Sequence, residues 1–116
     1  MGNRNLILAP SAQRSASGNS AALETSQMTE LAVFLVVSEV SGTSPSLTAV
    51  VQDSPDGDNW ADAYSFPAVS SAPSVLRAGW QDLKMSIGRY ARLTWTITGG
   101  SASFTFSAHV VPVSSD

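Results

Sequence analysis

From residue 31 onward the apolar positions recur with a period of two. Leu31–Val40 is apolar on both faces, the signature of a strand covered from both sides. Ser41-Gly42-Thr43-Ser44-Pro45 then reads as a turn. Leu47–Gln52 and Trp60–Phe66 alternate on either side of Ser54-Pro55-Asp56-Gly57-Asp58-Asn59, a hairpin signal. In the second run Trp60, Asp62, Tyr64 and Phe66 share one face, and Ala61, Ala63 and Ser65 share the other.

Pro67–Pro73 is a small-residue loop leading into a short strand, Ser74–Ala78, and a crossing segment, Gly79–Gly88. Arg89–Thr98 places Ala91, Leu93, Trp95 and Ile97 inside and Tyr90, Arg92, Thr94, Thr96 and Thr98 outside. Gly99-Gly100-Ser101 turns it, and Ala102–Val111 returns with Phe104, Phe106, Ala108 and Val110 on one face. No helical period of useful length interrupts these runs. The pattern predicts an all-β fold, a single antiparallel β-sandwich of jelly-roll or immunoglobulin-like kind. Leu31, Val33, Leu35, Leu93, Trp95, Ile97, Phe104 and Phe106 are its expected centre.

Residues 1–30 differ in texture, which divides the chain into an N-terminal arm and lead-in (1–30) and the sandwich (31–116). Leu6-Ile7-Leu8 is followed by a small, polar run from Ser11 to Ser20. Two readings stand. Either Leu6, Ile7 and Leu8 are an apolar plug on a tether that adds to a neighbouring edge, or they open the same sandwich as its first strand. Residues 21–30 hold one helical turn at most and serve as a connection.

Composition narrows the functional classes. Charged residues are only 13% of the 116, and hydroxyls supply most of the polarity. A surface of hydroxyls is less costly to cover with neighbours than one of ions. The net charge of −3 and the scatter of six basic residues argue against nucleic acid, which needs a clustered positive footprint. Arg89 and Arg92 alone lie close together; they flank Tyr90 and read as solvated or salt-bridged strand residues in preference to a phosphate site. There is no cysteine, hence no disulfide scaffold, thiolate zinc site or cysteine nucleophile. No apolar run reaches membrane-spanning length, and no signal sequence opens the chain, so assembly in a cytoplasm is expected.

Candidate chemistry is sparse. Pro55, Asp56 and Gly57 suit a tight turn, with Ser54 and Trp60 at its base and Trp60 expected to fold over it. Asp53, Asp56 and Asp58 are the competing ion-site reading, without the periodic ligands of a helix-loop-helix calcium site. His109 is the single histidine. It shares a face with Ser103, Thr105 and Ser107, yet no G-x-S-x-G elbow marks a nucleophile. The sequence therefore nominates no catalytic, cofactor-binding or metal residues and predicts a protein that is not an enzyme. Trp95 belongs in the core by alternation, whereas Trp80, in an irregular segment, is expected at a surface or contact.

The stretch from Leu31 to Val110 resembles small proteins of the structural-gene region of tailed bacteriophages and prophages. The resemblance rests on the apolar first strand, on Ser41–Thr48, on Val51–Trp60, on Gly88–Gly99 and on Ser103–Ser107. It implies a virion component assembled in the host cytoplasm, a capsid decoration (cement) protein that binds the major capsid protein and self-associates, as a homotrimer if it sits on a three-fold axis. A tail or baseplate protein and a carbohydrate-binding β-sandwich module are the alternatives. Leu6, Ile7, Leu8, Trp80, Arg89 and Arg92 are the expected interaction residues; Ser54, Asp56, Gly57 and Trp60 are the expected structural turn.

Overall fold

The computed structural model describes residues 6–24, 31–78 and 90–112. Among them there is no helix. The strands are β1 (Leu6–Arg14), β2 (Gly18–Asn19), β3 (Leu23–Glu24), β4 (Leu31–Ser54), β5 (Ala61–Ser65), β6 (Ser74–Ala78) and β7 (Tyr90–Pro112). All pairings are antiparallel and belong to one sheet, ordered β1-β7-β4-β5, with β2 and β3 also on β7 and β6 also on β4.

Two strands dominate: β4 with 24 residues and β7 with 23, paired from Leu31↔Pro112 to Ser54↔Tyr90. This corrects the turns expected at Ser41–Pro45 and Gly99–Ser101. Neither reverses the chain. They face each other across the ladder, where the register shifts between Ser41, Thr43 and Ser46, and both strands bend together there. Gly42 (φ 115°) and Gly99 (φ 119°) supply the backbone for that corner, with Ser44 and Ser101 also at positive φ. Glycine at positive φ serves a bulge as well as a turn, so the local signal is the same for both.

The corner folds the sheet over itself. One half contains β1, residues 102–112 of β7, residues 31–41 of β4, and β6. The other contains β2, β3, residues 90–98 of β7, residues 46–54 of β4, and β5. The inward side chains of both halves meet in one cluster: Val33, Leu35, Val37, Phe104, Phe106, Ala108 and Val110 from the first, Leu47, Ala49, Val51, Leu93 and Trp95 from the second. Trp95 meets Phe106 edge-on at 5.3 Å between ring centroids. The fold is thus the antiparallel β-sandwich expected, made from one continuous sheet. Val33, Leu35, Leu93, Trp95, Phe104 and Phe106 are buried as predicted, and Ile97 packs half-buried against them.

Of the two readings of residues 1–20, the described ones follow the second: β1 runs along β7 from Leu6↔Val110 to Arg14↔Phe104. Register shifts between Ile7, Ala9 and Ala12 turn Leu8 and Ala9 both inward. The polar run beyond is not a tether either. Ser17 Oγ accepts from the Ile97 N–H at 3.0 Å and Ser20 Oγ from the Leu93 N–H at 2.9 Å, while Ser20 N–H donates to the Leu93 carbonyl at 2.7 Å. Hydroxyls here take the place of ladder partners, since an unpaired backbone N–H at a sheet edge costs free energy. Arg14 holds this edge down. Its guanidinium donates to the carbonyls of Pro10 (2.7 Å), Ala12 (3.1 Å) and Phe106 (2.7 Å) and stacks over the rings of Phe106 and Trp95. The crossing segment expected at Gly79–Gly88 lies outside the described residues.

Candidate functional site

The Asp56 turn is built as a self-contained unit. Ser54, fully buried at the end of β4, accepts from the N–H groups of Asp56 (3.2 Å) and Gly57 (2.7 Å). Asp56 Oδ1 in turn accepts from the N–H groups of Asp58 and Asn59, both at 2.9 Å, and from the Ser54 hydroxyl. Its Oδ2 accepts from Asn59 Nδ2 at 2.7 Å. The Asn59 and Asp58 amides hold the Asp56 carboxyl well below the usual carboxylate range, because each bond favours the charged form. With both oxygens engaged by protein donors, little lone-pair capacity is left for a cation. Among the described residues no group of three acidic or histidine side chains is placed to hold a metal. Gly57 adopts φ 85°, and a Cβ there would lie 3.6 Å from the Tyr90 ring. Tyr90, rather than Trp60, therefore covers the turn.

Trp60 instead pairs with Arg92, whose guanidinium stacks over the indole at 4.3 Å. Arg92 Nε donates to Gln52 Oε1 at 2.9 Å, and Gln52 Nε2 donates to Asp62 Oδ1 at 2.8 Å. This polar row crosses β7, β4 and β5 along the ladder positions Arg92↔Gln52↔Asp62. Stacking of this kind contributes about 0.5–1 kcal/mol at an exposed site. Of the other expected interaction residues, Trp80 and Arg89 lie outside the described residues, as does the Leu6 side chain. Ile7 and Leu8 separate: Ile7 is 60% exposed, and Leu8 is buried in the core.

The outer face of the first half carries what alternation on β4 had implied was covered. Ile7, His109, Phe34 and Arg77 are opposite one another across β1, β7, β4 and β6; Ser107, Val36 and Val75 form the next row. Phe34 and Val36 are half-buried and Val75 is 65% exposed. Of the Leu31–Val40 run, Val33, Leu35 and Val37 are fully covered on the inner face, the outward Phe34 and Val36 only half-covered, and the Leu31 side chain lies outside the described ones. The outer face of this half therefore presents Ile7 and Val75 as exposed large apolar side chains, with Phe34 and Val36 half-buried between them.

On the same face Ser107 Oγ and His109 Nε2 are 2.9 Å apart, whereas the buried His109 Nδ1 has no hydrogen-bond partner. No carboxylate among the described residues orients the ring, and Ser107 is itself buried in mid-strand. The pair therefore lacks the third member and the exposed nucleophile of an acyl-transfer site.

Nearer the corner the outer face becomes hydrophilic. An open groove of about 780 Å³ is lined by Gln13, Ser38, Glu39, Ser41, Ser103, Thr105 and the Ser70–Ala72 loop, among others. These residues are far apart in sequence and carried no motif; only the register that sets Glu39 beside Thr105 and Ser41 beside Ser103 gathers them.

The chain matches no protein-family model and no curated protein. Solved structures do share its fold. PBSX exported protein XepA superposes with a TM-score of 0.67 at 11% identity, over 97% of this chain and 38% of that one. A chain of the disulfide-linked pili that form Bacillus endospore appendages gives a TM-score of 0.57 at 16% identity, over 97% and 88%. The CBM22-1–GH10 modules of Clostridium thermocellum xylanase 10B, complexed with xylohexaose, give 0.55 at 12% identity, over 99% and 27%. This chain thus spans well under half of XepA and of the xylanase, and at these identities the likeness is one of fold.

Proposed function

We propose that this chain is a structural protein of a phage virion, a capsid decoration protein that binds the assembled head and stabilises it. The observation that carries the reading is the apolar outer face of Ile7, Phe34, Val36 and Val75. Covering one exposed Val or Ile side chain is favourable by about 1.5–3 kcal/mol, and a shell repeats that contact at every symmetry-related position. The low density of charge keeps the desolvation cost of such a contact small. The phage-like stretches between Leu31 and Val110 support the reading, as does a fold that also occurs in pili, where many copies assemble. The partner would be the major capsid protein, and self-association as a homotrimer would place three such faces around one axis.

A carbohydrate-binding module that grips pyranose faces on aromatic platforms is the weaker reading. One face of Trp60 is occupied by Arg92, Tyr64 packs edge-on against Phe66 at 5.2 Å, and Tyr90 lies over Gly57.

The test is co-sedimentation of the purified chain with expanded heads from the source phage, together with electron microscopy of its particles. Saturable binding to heads, abolished by Val75→Asp with the circular dichroism spectrum unchanged, is the expected result. Density for the chain on the tail or baseplate, or its absence from particles, would replace or end the proposal.

A further inference from the structure

The groove at the corner has no part in the contact proposed above, and its chemistry points to a different partner. Four separate elements converge on it: Gln13 from β1, Glu39 and Ser41 from β4, Ser103 and Thr105 from β7, and Ser70 and Ser71 from the loop before β6. Part of this lining is already ordered. Ser41 Oγ and Ser103 Oγ are 2.6 Å apart, and Gln13 Nε2 donates to Ser103 Oγ at 3.3 Å. The side chains are therefore held in place before any ligand arrives, which lowers the ordering cost of binding.

Glu39 is the one charged group in the lining, and it has no hydrogen bond or ion pair among the described residues. Among the described residues of the lining no cation accompanies this carboxylate, an arrangement that repels phosphate, sulfate and carboxylate ligands. What it lacks is donors. A vicinal diol presents two O–H groups to the two oxygens of one carboxylate, a charge-assisted pair stronger than neutral hydrogen bonds. The surrounding hydroxyls and the Gln13 amide both donate and accept, which suits a ligand that also does both at every carbon. Val40, Pro45 and Ala72 add small apolar surfaces for the C–H face of a ring.

We infer that this groove binds a neutral saccharide, with Glu39 accepting from a vicinal diol and Gln13, Ser41 and Ser103 completing the hydrogen bonds. Among the described residues no aromatic ring lines it, so the groove relies on hydrogen bonds, and many copies on one particle would raise the avidity. The inference is independent of head binding, since the groove and the apolar rows occupy different parts of the face.

Heteronuclear NMR titration of the full chain with maltohexaose, xylohexaose and triacetylchitotriose tests it, with inorganic phosphate as the anionic comparison. The expected result is saturable shifts confined to the amides around residues 13, 38–42, 70–72 and 103–105 with at least one saccharide, and none with phosphate. Glu39→Gln is expected to weaken that binding about tenfold, the loss of one charge-assisted bond pair, with an unchanged melting temperature because the Glu39 side chain has no hydrogen bond or ion pair among the described residues. Three results would overturn the inference: no saturable shift with any of the three saccharides, shifts centred on Trp60 and Tyr64, or full affinity in Glu39→Gln. Loss of head binding in Val75→Asp with saccharide shifts intact would separate the two proposals.

Discussion

The guanidinium of Arg14 both stacks on the ring of Phe106 at 4.3 Å and donates to the Phe106 carbonyl at 2.7 Å. One side chain on an edge strand thereby grips the backbone and the core of the central strand beside it. Burial lowers the Arg14 pKa, yet a guanidinium remains charged at any physiological pH.

Arg14→Ala is expected to destabilise the fold by about 1–3 kcal/mol, from the lost hydrogen bonds and the lost stacking. Arg14→Lys should recover only part, because an ammonium cannot fork across three carbonyls while stacking. Urea unfolding midpoints of the two variants against the parent measure both. Equal stability of Arg14→Lys and the parent would show that charge alone matters at this position.

Removing residues 1–10 should unfold the chain or cost it several kcal/mol, since Leu8 and Ala9 leave the core and β7 gains an unpaired edge. Circular dichroism of the truncated protein as a monomer checks this. A stable truncated fold would restore the tethered-plug reading of Leu6, Ile7 and Leu8.

The corner makes a graded prediction. A Cβ at Gly42 would lie 2.6 Å from Ala102 Cα, and one at Gly99 would lie 2.8 Å from the Ser44 carbonyl, both with backbone as the obstacle. Gly100 has φ outside the left-handed region, and a Cβ there would meet the Thr43 side chain at an ordinary 3.4 Å (Cβ) and 3.9 Å (Oγ1). Gly42→Ala and Gly99→Ala should therefore each cost more than about 1 kcal/mol, and Gly100→Ala much less. Thermal unfolding of the three single variants gives the order directly.

The Asp56 turn makes a prediction about pH. Its folded pKa is depressed, so its stabilisation is complete above the unfolded carboxylate value of 3.8 and is lost as pH falls from there through the lower folded value. The melting-temperature gap between the parent and Asp56→Ala should be constant near neutrality and shrink in that acidic window. Gly57→Val should cost about 1–3 kcal/mol at any pH, because the strain at φ 85° does not titrate. Calcium should leave the parent's melting temperature unchanged; a calcium-dependent rise would restore the ion-site reading.

Trp95 is 8% exposed and combines ring packing on Phe106 with an indole N–H that donates to the Ala16 carbonyl at 3.1 Å. Trp95→Ala is expected to cost about 3–5 kcal/mol. Trp95→Phe should lose less and report chiefly on the Ala16 bond. Denaturant unfolding of both variants separates packing from the hydrogen bond.

Much of this was legible in the linear chain. Alternation in residues 90–98 and 102–111 identified Leu93, Trp95, Phe104 and Phe106 as core, because a strand with one buried face must repeat with a period of two. Ser54, Asp56 and Gly57 were legible as a turn because their partners lie within a few residues of one another. The candidate groove was not legible: Gln13, Glu39, Ser41 and Ser103 are ordinary polar residues that only the register brings together.

By itself, then, the sequence determined the strand character, the inward faces and the Asp56 turn, all of which rest on interactions between near neighbours. Only the tertiary structure decided that Gly42 and Gly99 bend two long strands instead of closing two hairpins. A positive φ is a local property, while the choice between reversal and bulge depends on which distant strand supplies the ladder partners. The same reason governs residues 6–24. Their serines look like a solvated tether until β7 is beside them, and then Ser17 and Ser20 meet the backbone amides of Ile97 and Leu93.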